Sequence, residues 1–338
     1  MASITIKDIA KETGVSIATV SRVLNNTGYA SEEIREKVLS TAMRLNYLPN
    51  AVARSLKNEK TNTIGVVIPD ITNSYFMQIS KGIEDTIHQY GYNLIFGSGN
   101  EHSKKESEML QVLFEKRVDA IVLATSGGNE EIIEKIKKSG IPIVLIDRKI
   151  NGKEHDLDLV IEDNIEAAYE LTKHLLDLGH TRIGVVNGSL TVSTGIERYR
   201  GYQKAIQEKG ITEDPKLIFN GGFIESDGKE AVDRFLQLAS KPTAILSFNN
   251  TMTFGVLLQL ISKGYEIPED IVVASYGEVE AAKLLKSQGI TYTNQIPYEM
   301  GVRTGEILID RLINSIQGPI HEVFKPTINF NEQTKFSN

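Results

Sequence analysis

Residues 4–25 read ITIKDIAKETGVSIATVSRVLN, and their spacing sets the first element of the fold. Thr5 stands ahead of Ile6, Ile9 and Ala10, with Asp8 three positions on, an arrangement that can cap a short helix reciprocally. Gly14 ends that helix. Ser16 opens a second run in which Val20, Val23 and Leu24 share one face, while Ile17, Ala18, Ser21, Arg22 and Asn25 take the other. Two short helices joined around a glycine make a helix-turn-helix. A third helix is expected from Ser31 to about Asn46, with Ile34, Val38, Ala42 and Leu45 as its buried stripe and Pro49 as its stop. The open face of the second helix carries an arginine able to grip guanine, small groups beside it, and hydroxyls suited to phosphate.

Charge supports a partner of that kind at this end only. The whole chain of 338 residues is formally -7, yet residues 1–60 hold nine Lys or Arg against six Asp or Glu, leaving 28 against 38 in the rest. A basic head therefore precedes an acidic body. The length suits two or three domains, and the absence of cysteine and tryptophan excludes a disulfide framework and a thiolate metal site. Lys7, Asp8, Lys11 and Glu12 interrupt any apolar signal segment, and no run approaches the roughly 18 apolar residues of a membrane span. A soluble cytoplasmic protein is expected, with no membrane contact.

The string quoted above closely resembles the head of the lactose/galactose repressor (LacI/GalR) family. The resemblance implies that Ile17, Ala18 and Arg22 read base edges of operator DNA, while Thr5, Ser16, Thr19, Ser21 and Asn25 hold its backbone. The following stretch YLPNAVARSLKNEKT resembles the family's hinge, a short helix that pairs with its symmetry mate in the minor groove. Leu56 is then the wedge, with Ala53 and Arg54 beside it; opening a base step costs a few kcal/mol, repaid by the contacts a bent duplex allows. Asn50 as a cap and the pattern Val52, Ala53, Leu56 favour this hinge over a plain polar linker.

Behind the head, apolar runs at IGVVIP, YNLIFG, DAIVLAT and IPIVLID alternate with helical segments between residues 64 and 147, the reading of a parallel sheet covered on both faces. IGVVNG at 183, TAILSFN at 243 and DIVVASYG at 270 resume the rhythm. Ile64, Gly65, Val66, Val67, Gly82, Ile87 and Gly91 recur 119 positions later as Ile183, Gly184, Val185, Val186, Gly201, Ile206 and Gly210. So long a period signals two subdomains of like fold rather than a solenoid. The fold class is thus α/β: an all-α helix-turn-helix head and two doubly wound parallel-sheet subdomains. Their ligands are expected beyond the carboxyl ends of the strands, in a cleft between them.

The body from Thr61 to about Asn331 resembles the family's core, which is similar to periplasmic sugar-binding proteins. The resemblance implies a head over 1–49, a hinge over 50–60, a first subdomain of 61–161 with about 291–322, and a second of 162–290 with about 323–338. It also implies effector contacts at Tyr75, Phe76, Ser126, Asp147, Asp163, Arg198, Phe223, Asn249 and Gly277. Phe76 and Phe223 read equally as ordinary core, Asp147 as a loop cap, and Asp163 as the cap of a helix beginning near Ile165. Two departures stand out. Asn249-Asn250 replaces the family's usual Asn-Asp, and Gly277 occupies the place of an aspartate that accepts hydrogen bonds from sugar hydroxyls. With a carboxylate removed and Arg198 retained, an anionic effector such as a sugar acid or sugar phosphate is expected.

No nucleotide-binding or zinc-protease motif occurs, and the six histidines are scattered. Gly97-Ser98-Gly99 reads as a turn. No enzyme, cofactor or metal is expected; a hydrolase or kinase with a borrowed head would need turnover of its ligand, and a transport component would need a secretion signal. The resemblance implies a homodimer on a near-palindromic operator, repressing carbohydrate-related genes under a small-molecule effector in the cleft, a sugar, sugar acid or sugar phosphate. In the family's carbon-catabolite branch the corepressor is a phosphorylated phosphocarrier protein, the alternative partner here.

Overall fold

A computed structural model describes residues 4–47, 60–150, 156–287 and 289–331. The chain divides into two compact units, Met1–Thr61 and Asn62–Asn338.

In the first unit, helices α1 (Ile6–Thr13), α2 (Ile17–Leu24) and α3 (Glu32–Arg44) surround Ile9, Val20, Val23, Val38 and Ala42. The caps follow the sequence. Gly14 takes the left-handed conformation at φ 71°, and Ser16 and Ser31 accept the backbone N–H groups of Thr19 and Ile34. At the start of α1 the Asp8 carboxylate accepts from both the backbone N–H and the hydroxyl of Thr5, at 2.8 and 2.7 Å.

The second unit contains two six-stranded sheets. In the first, strands β1 (Thr63–Ile68), β2 (Asn93–Ser98), β3 (Ala120–Leu123), β4 (Ile143–Ile146), β5 (Asp158–Glu162) and β11 (His321–Phe324) lie in the order β11-β5-β4-β3-β1-β2, all parallel. In the second, β6 (Ile183–Asn187), β7 (Ile218–Asn220), β8 (Ala244–Ser247), β9 (Val272–Ser275), β10 (Thr291–Asn294) and β12 (Thr327–Asn329) lie in the order β12-β10-β9-β8-β6-β7, with β12 alone antiparallel. Buried apolar clusters cover both faces of each sheet, which is why the central strands read as unbroken runs such as AIVL and IVLI rather than alternating. Each fully buried Val, Ile or Leu contributes about 1.5–3 kcal/mol of transfer free energy.

The internal repeat has a packing cause. A Cβ on Gly82 would stand 2.2 Å from the carbonyl oxygen of Tyr298, and one on Gly201 would stand 2.4 Å from that of Ile165. In each subdomain a glycine thus lets two helices touch backbone to backbone: α4 (Ser74–His88) against α11 (Pro297–Ile309), and α8 (Ser193–Glu208) against α7 (Asn164–Asp177).

The chain passes between the sheets three times, after Glu162, after Asn294 and after Phe324. Two of these points depart from the expected boundaries. Thr291–Asn294, assigned above to the first subdomain, pairs with β9 and β12 in the second sheet, where Thr291 and Thr293 are buried. Val323 and Phe324, assigned to the second, complete β11 by pairing with Ile161 and Glu162.

Candidate functional site

The carboxyl ends of the strands in both sheets open on one cavity of about 440 Å3. From the first sheet, the loop after β1 brings Asp70, Asn73, Tyr75 and Phe76, with α4 starting at its rim. The loop after β2 brings Asn100 and Glu101, and the end of β4 brings Asp147 and Arg148. From the second sheet come Thr194 and Arg198 on α8, Phe223 and Ile224 after β7, Asn249 and Asn250 at the start of α10 (Asn250–Ser262), Tyr276 after β9 and Gln295 after β10. Asp147 and Phe223 both hold left-handed backbone, at φ 64° and 69°. For residues with a Cβ such conformations cost on the order of 1–3 kcal/mol, and they collect where a site needs side chains aimed.

Ion pairs organise the cleft. Arg198 is buried, with Nε donating to Asn164 at 2.8 Å, Nη1 donating to the carbonyl of Phe248 at 2.8 Å, and Nη2 lying 4.0 Å from Asp147. Its guanidinium lies 3.7 Å from the centre of the Tyr276 ring, a cation–π contact strengthened by burial. Arg148 forms a two-point pair with Glu101, 2.7 Å on each side, and passes 5.1 Å from the Phe223 ring. The Tyr75 hydroxyl donates to Asp147 at 3.1 Å, and its ring meets Phe76 edge-on at 5.3 Å. Burial raises the Asp147 carboxyl above the usual range, while Arg198 and Arg148 pull it back. Burial pushes Glu162, just behind the cavity, up to about 7 against the pull of Arg198.

Six of the sequence-predicted contacts line this cavity: Tyr75, Phe76, Asp147, Arg198, Phe223 and Asn249. Three are placed elsewhere. Ser126 does not line the cavity, and its backbone N–H is bound by the buried Glu106. Asp163 accepts the N–H of Glu166 at 3.1 Å and caps α7, the alternative its position already allowed. Gly277 lies under Gln295, whose Oε1 would be 2.6 Å from a Cβ there. Sequence reading missed Glu101, Thr194 and Gln295, which follow or open elements without any local motif. Among the described residues no cluster of His, Asp and Glu suits a metal ion.

In the head, Ile17, Ala18 and Arg22 are exposed along one face of α2. The Ser16 and Thr19 hydroxyls pair at 2.9 Å, and Asn25 donates to the Ser21 carbonyl at 2.9 Å. This aligns a row of short polar groups beside Arg22. Ala53, Arg54 and Leu56 lie outside the described residues.

Two family signatures cover nearly all of this architecture. "Bacterial regulatory proteins, lacI family" matches residues 5–50, and "Periplasmic binding proteins and sugar binding domain of LacI family" matches residues 61–334. The chain belongs to the LacI family. This LacI-family protein is 36% identical over 309 residues to the HTH-type transcriptional repressor PurR of Vibrio atlanticus, covering 91% of this chain and 92% of that one. It is 33% identical over 315 residues to the repressor of the same name from Haemophilus influenzae, covering 93% of each. Among solved structures, a LacI-family regulator from Silicibacter pomeroyi has a TM-score of 0.82 at 25% identity, covering 98% of this chain and 100% of that one. The transcription regulator CcpA of Lactococcus lactis has a TM-score of 0.72 at 30% identity, covering 81% of this chain and 99% of that one. The lac repressor dimer bound to operator and the anti-inducer ONPF shares the fold, with a TM-score of 0.82 at 21% identity over 99% and 100% of the two chains. The LacI-family chain is therefore a DNA-binding transcriptional repressor with a ligand-binding domain, and its relatives are regulators rather than enzymes.

Proposed function

We propose that this repressor binds a near-palindromic operator as a homodimer and is controlled by a neutral, hydroxyl-rich small molecule of sugar type held between its two subdomains. The observation that carries the ligand class is the charge balance of the cleft. Arg148 forms a two-point pair with Glu101 and Arg198 lies 4.0 Å from Asp147, so each of these guanidinium groups already has a carboxylate beside it. Among the sugar, sugar acid and sugar phosphate named above, this reading favours the sugar, because Glu101 and Asp147 of the first subdomain line the cavity. Aromatic faces at Phe76 and Phe223 beside paired donors and acceptors suit a ring with one apolar face and a polar rim.

Ile17, Ala18 and Arg22 read base edges, while Thr5, Ser16, Thr19, Ser21 and Asn25 hold phosphates. Ala53, Arg54 and Leu56 act in the minor groove. The effector stacks on Phe76 and Phe223 and bonds to Asp147, Arg198 and Asn249. It acts by its preference for one angle between the subdomains, since a ligand moves an equilibrium only by its differential affinity for the two states.

Selection of bound fragments from a random DNA pool, followed by calorimetry and operator titration with neutral hexoses and pentoses and their acid counterparts, tests both halves. A palindromic consensus whose occupancy responds to a neutral sugar supports the reading. Response to acids alone, or selection of unrelated sequences, overturns it. A second reading, a phosphorylated phosphocarrier protein as corepressor, draws on the likeness to CcpA of Lactococcus lactis; it predicts that this protein, rather than any sugar, tightens operator binding.

A further inference from the structure

Gln295 and Glu162 sit at two of the three passages between the sheets, and they touch. The Gln295 Nε2 donates to Glu162 Oε2 at 2.6 Å, and the Tyr276 hydroxyl reaches the same oxygen at 3.5 Å. Glu162 Oε1 is buried with no hydrogen-bond partner among the described residues. Gln295 lines the cavity, and its own Oε1 occupies the space above Gly277, 2.6 Å from where a Cβ would be. Gly277 is at φ 90°, backbone that a residue with a side chain rarely adopts. The space beside Gly277 is therefore filled by a side chain from the residue that follows β10.

We propose that Gln295 is a specificity-determining residue of the cleft, offering its side-chain amide to the occupant in place of a group at 277, and that the protonation state of Glu162 sets which end of that amide is offered. The proposal rests on the effector reading of the cleft and adds how its polarity is chosen. An ionised carboxylate only accepts hydrogen bonds, so it holds the NH2 end of Gln295 and leaves the carbonyl oxygen toward Gly277 and the cavity. A protonated Glu162 has an O–H to donate. The amide can then turn about its last bond, accept that proton with its oxygen and present the NH2 end instead. A site offering an acceptor selects ligands with a donor at that point, and the turned amide selects the converse.

The surroundings place this change near neutrality. Arg198 favours the ionised form and Asp147 opposes it; Tyr276 and Gln295 donate to it, and the Tyr75 ring faces the same cluster. Burial outweighs the favourable partners and pushes Glu162 up to about 7. An unpartnered buried carboxylate oxygen is costly when charged, in agreement with that direction.

The test uses the full chain without ligand. Side-chain 15N signals of glutamine are followed from pH 5.5 to 8.5, the Gln295 signal being assigned by its loss in Gln295→Met or by through-space contact with Gly277. The expected result is a Gln295 amide signal that shifts with a midpoint near neutral pH and stays flat in Glu162→Gln. A pH-independent signal, or an unchanged midpoint in Glu162→Gln, overturns the proposal. Calorimetry with D-glucose, D-galactose, D-fructose and D-ribose at pH 6 and pH 8 is the second readout, with a several-fold change in affinity expected in the wild type and none in Glu162→Gln. If none of these sugars binds, the neutral-sugar reading fails, while the amide titration still upholds or overturns the role of Gln295.

Discussion

Asn73 and Asn250 face each other across the mouth of the cleft, each side-chain amide donating to the other's oxygen at 3.1 Å. They cap or open helices in different subdomains, so the pair ties α4 to α10 directly. An aspartate at 250 could still accept from Asn73 but could not return the bond. Two neutral hydrogen bonds contribute about 0.5–1.5 kcal/mol each, so losing one shifts the balance between closed and open arrangements by up to roughly ten-fold. The chain has no cysteine, so spin labels at Lys104→Cys and Ser226→Cys report that distance cleanly. Asn250→Asp is expected to broaden the distribution toward longer separations; identical distributions would count against the tie.

Stability is expected to depend on pH through Glu162. Its folded value of about 7 lies above its ordinary 4.5, so the native state keeps a proton that the unfolded chain has released. The stabilisation is complete below the ordinary value and is lost as pH rises from about 4.5 to about 7. Glu162→Gln carries no such loss. Its melting temperature relative to wild type should rise between pH 5 and pH 8, and parallel melting curves across that range would contradict the assignment.

Arg198→Met removes the charge facing Asp147 and raises the carboxyls of Asp147 and Glu162 further, because Arg198 lowers both. Breaking a buried pair from one side costs about 3–5 kcal/mol. Denaturant titration should show a loss of that order, with partial recovery in Arg198→Met with Asp147→Asn. Recovery is the informative result, since a packing defect alone would make the second substitution additive.

In the head, Arg22→Ala is expected to weaken operator binding by about 1–3 kcal/mol and to relax preference at one base pair of each half-site. Its exposure on α2 leaves fold stability nearly unchanged. Competition against single-base operator variants measures the effect. Equal loss on specific and random DNA would assign Arg22 to the backbone instead.

Gly277→Asp introduces a side chain where backbone is at φ 90° and where Gln295 already stands. It should destabilise the core, and Gln295→Ala should relieve the steric part of that loss but not the backbone part. A double-mutant cycle on melting free energy gives the coupling, and an additive cycle would mean that the two residues do not share the space.

The head was legible because its signals are local: Ser16 and Ser31 cap within three residues, and Gly14 ends a helix where only a left-handed turn fits. The central strands were legible because burial on both faces leaves runs such as IVLI. The recurrence of Gly82 as Gly201 was visible as a period, while its cause, two helices in backbone contact, needed the structure. Strands β10, β11 and β12 carried weak signals. They are short and rich in polar or exposed residues, and their sheet membership depends on partners as distant as Ile161 from Val323. The cleft divided in the same way. Tyr75 and Arg198 were reached through the family resemblance, but the link from Glu162 to Gln295 spans 133 positions, and nothing near either residue announces the other.

The three side-by-side passages between the sheets have a mechanical consequence. Two sheets joined by three crossings of the chain are expected to move chiefly by rotation about that seam, like a door on three hinges, and under the proposed function an occupant of the cavity acts along that rotation. Pocket chemistry and output are thereby separated. Substitutions that retune the lining, as at Gly277 and Gln295, can change which molecule is heard without rebuilding how the molecule speaks.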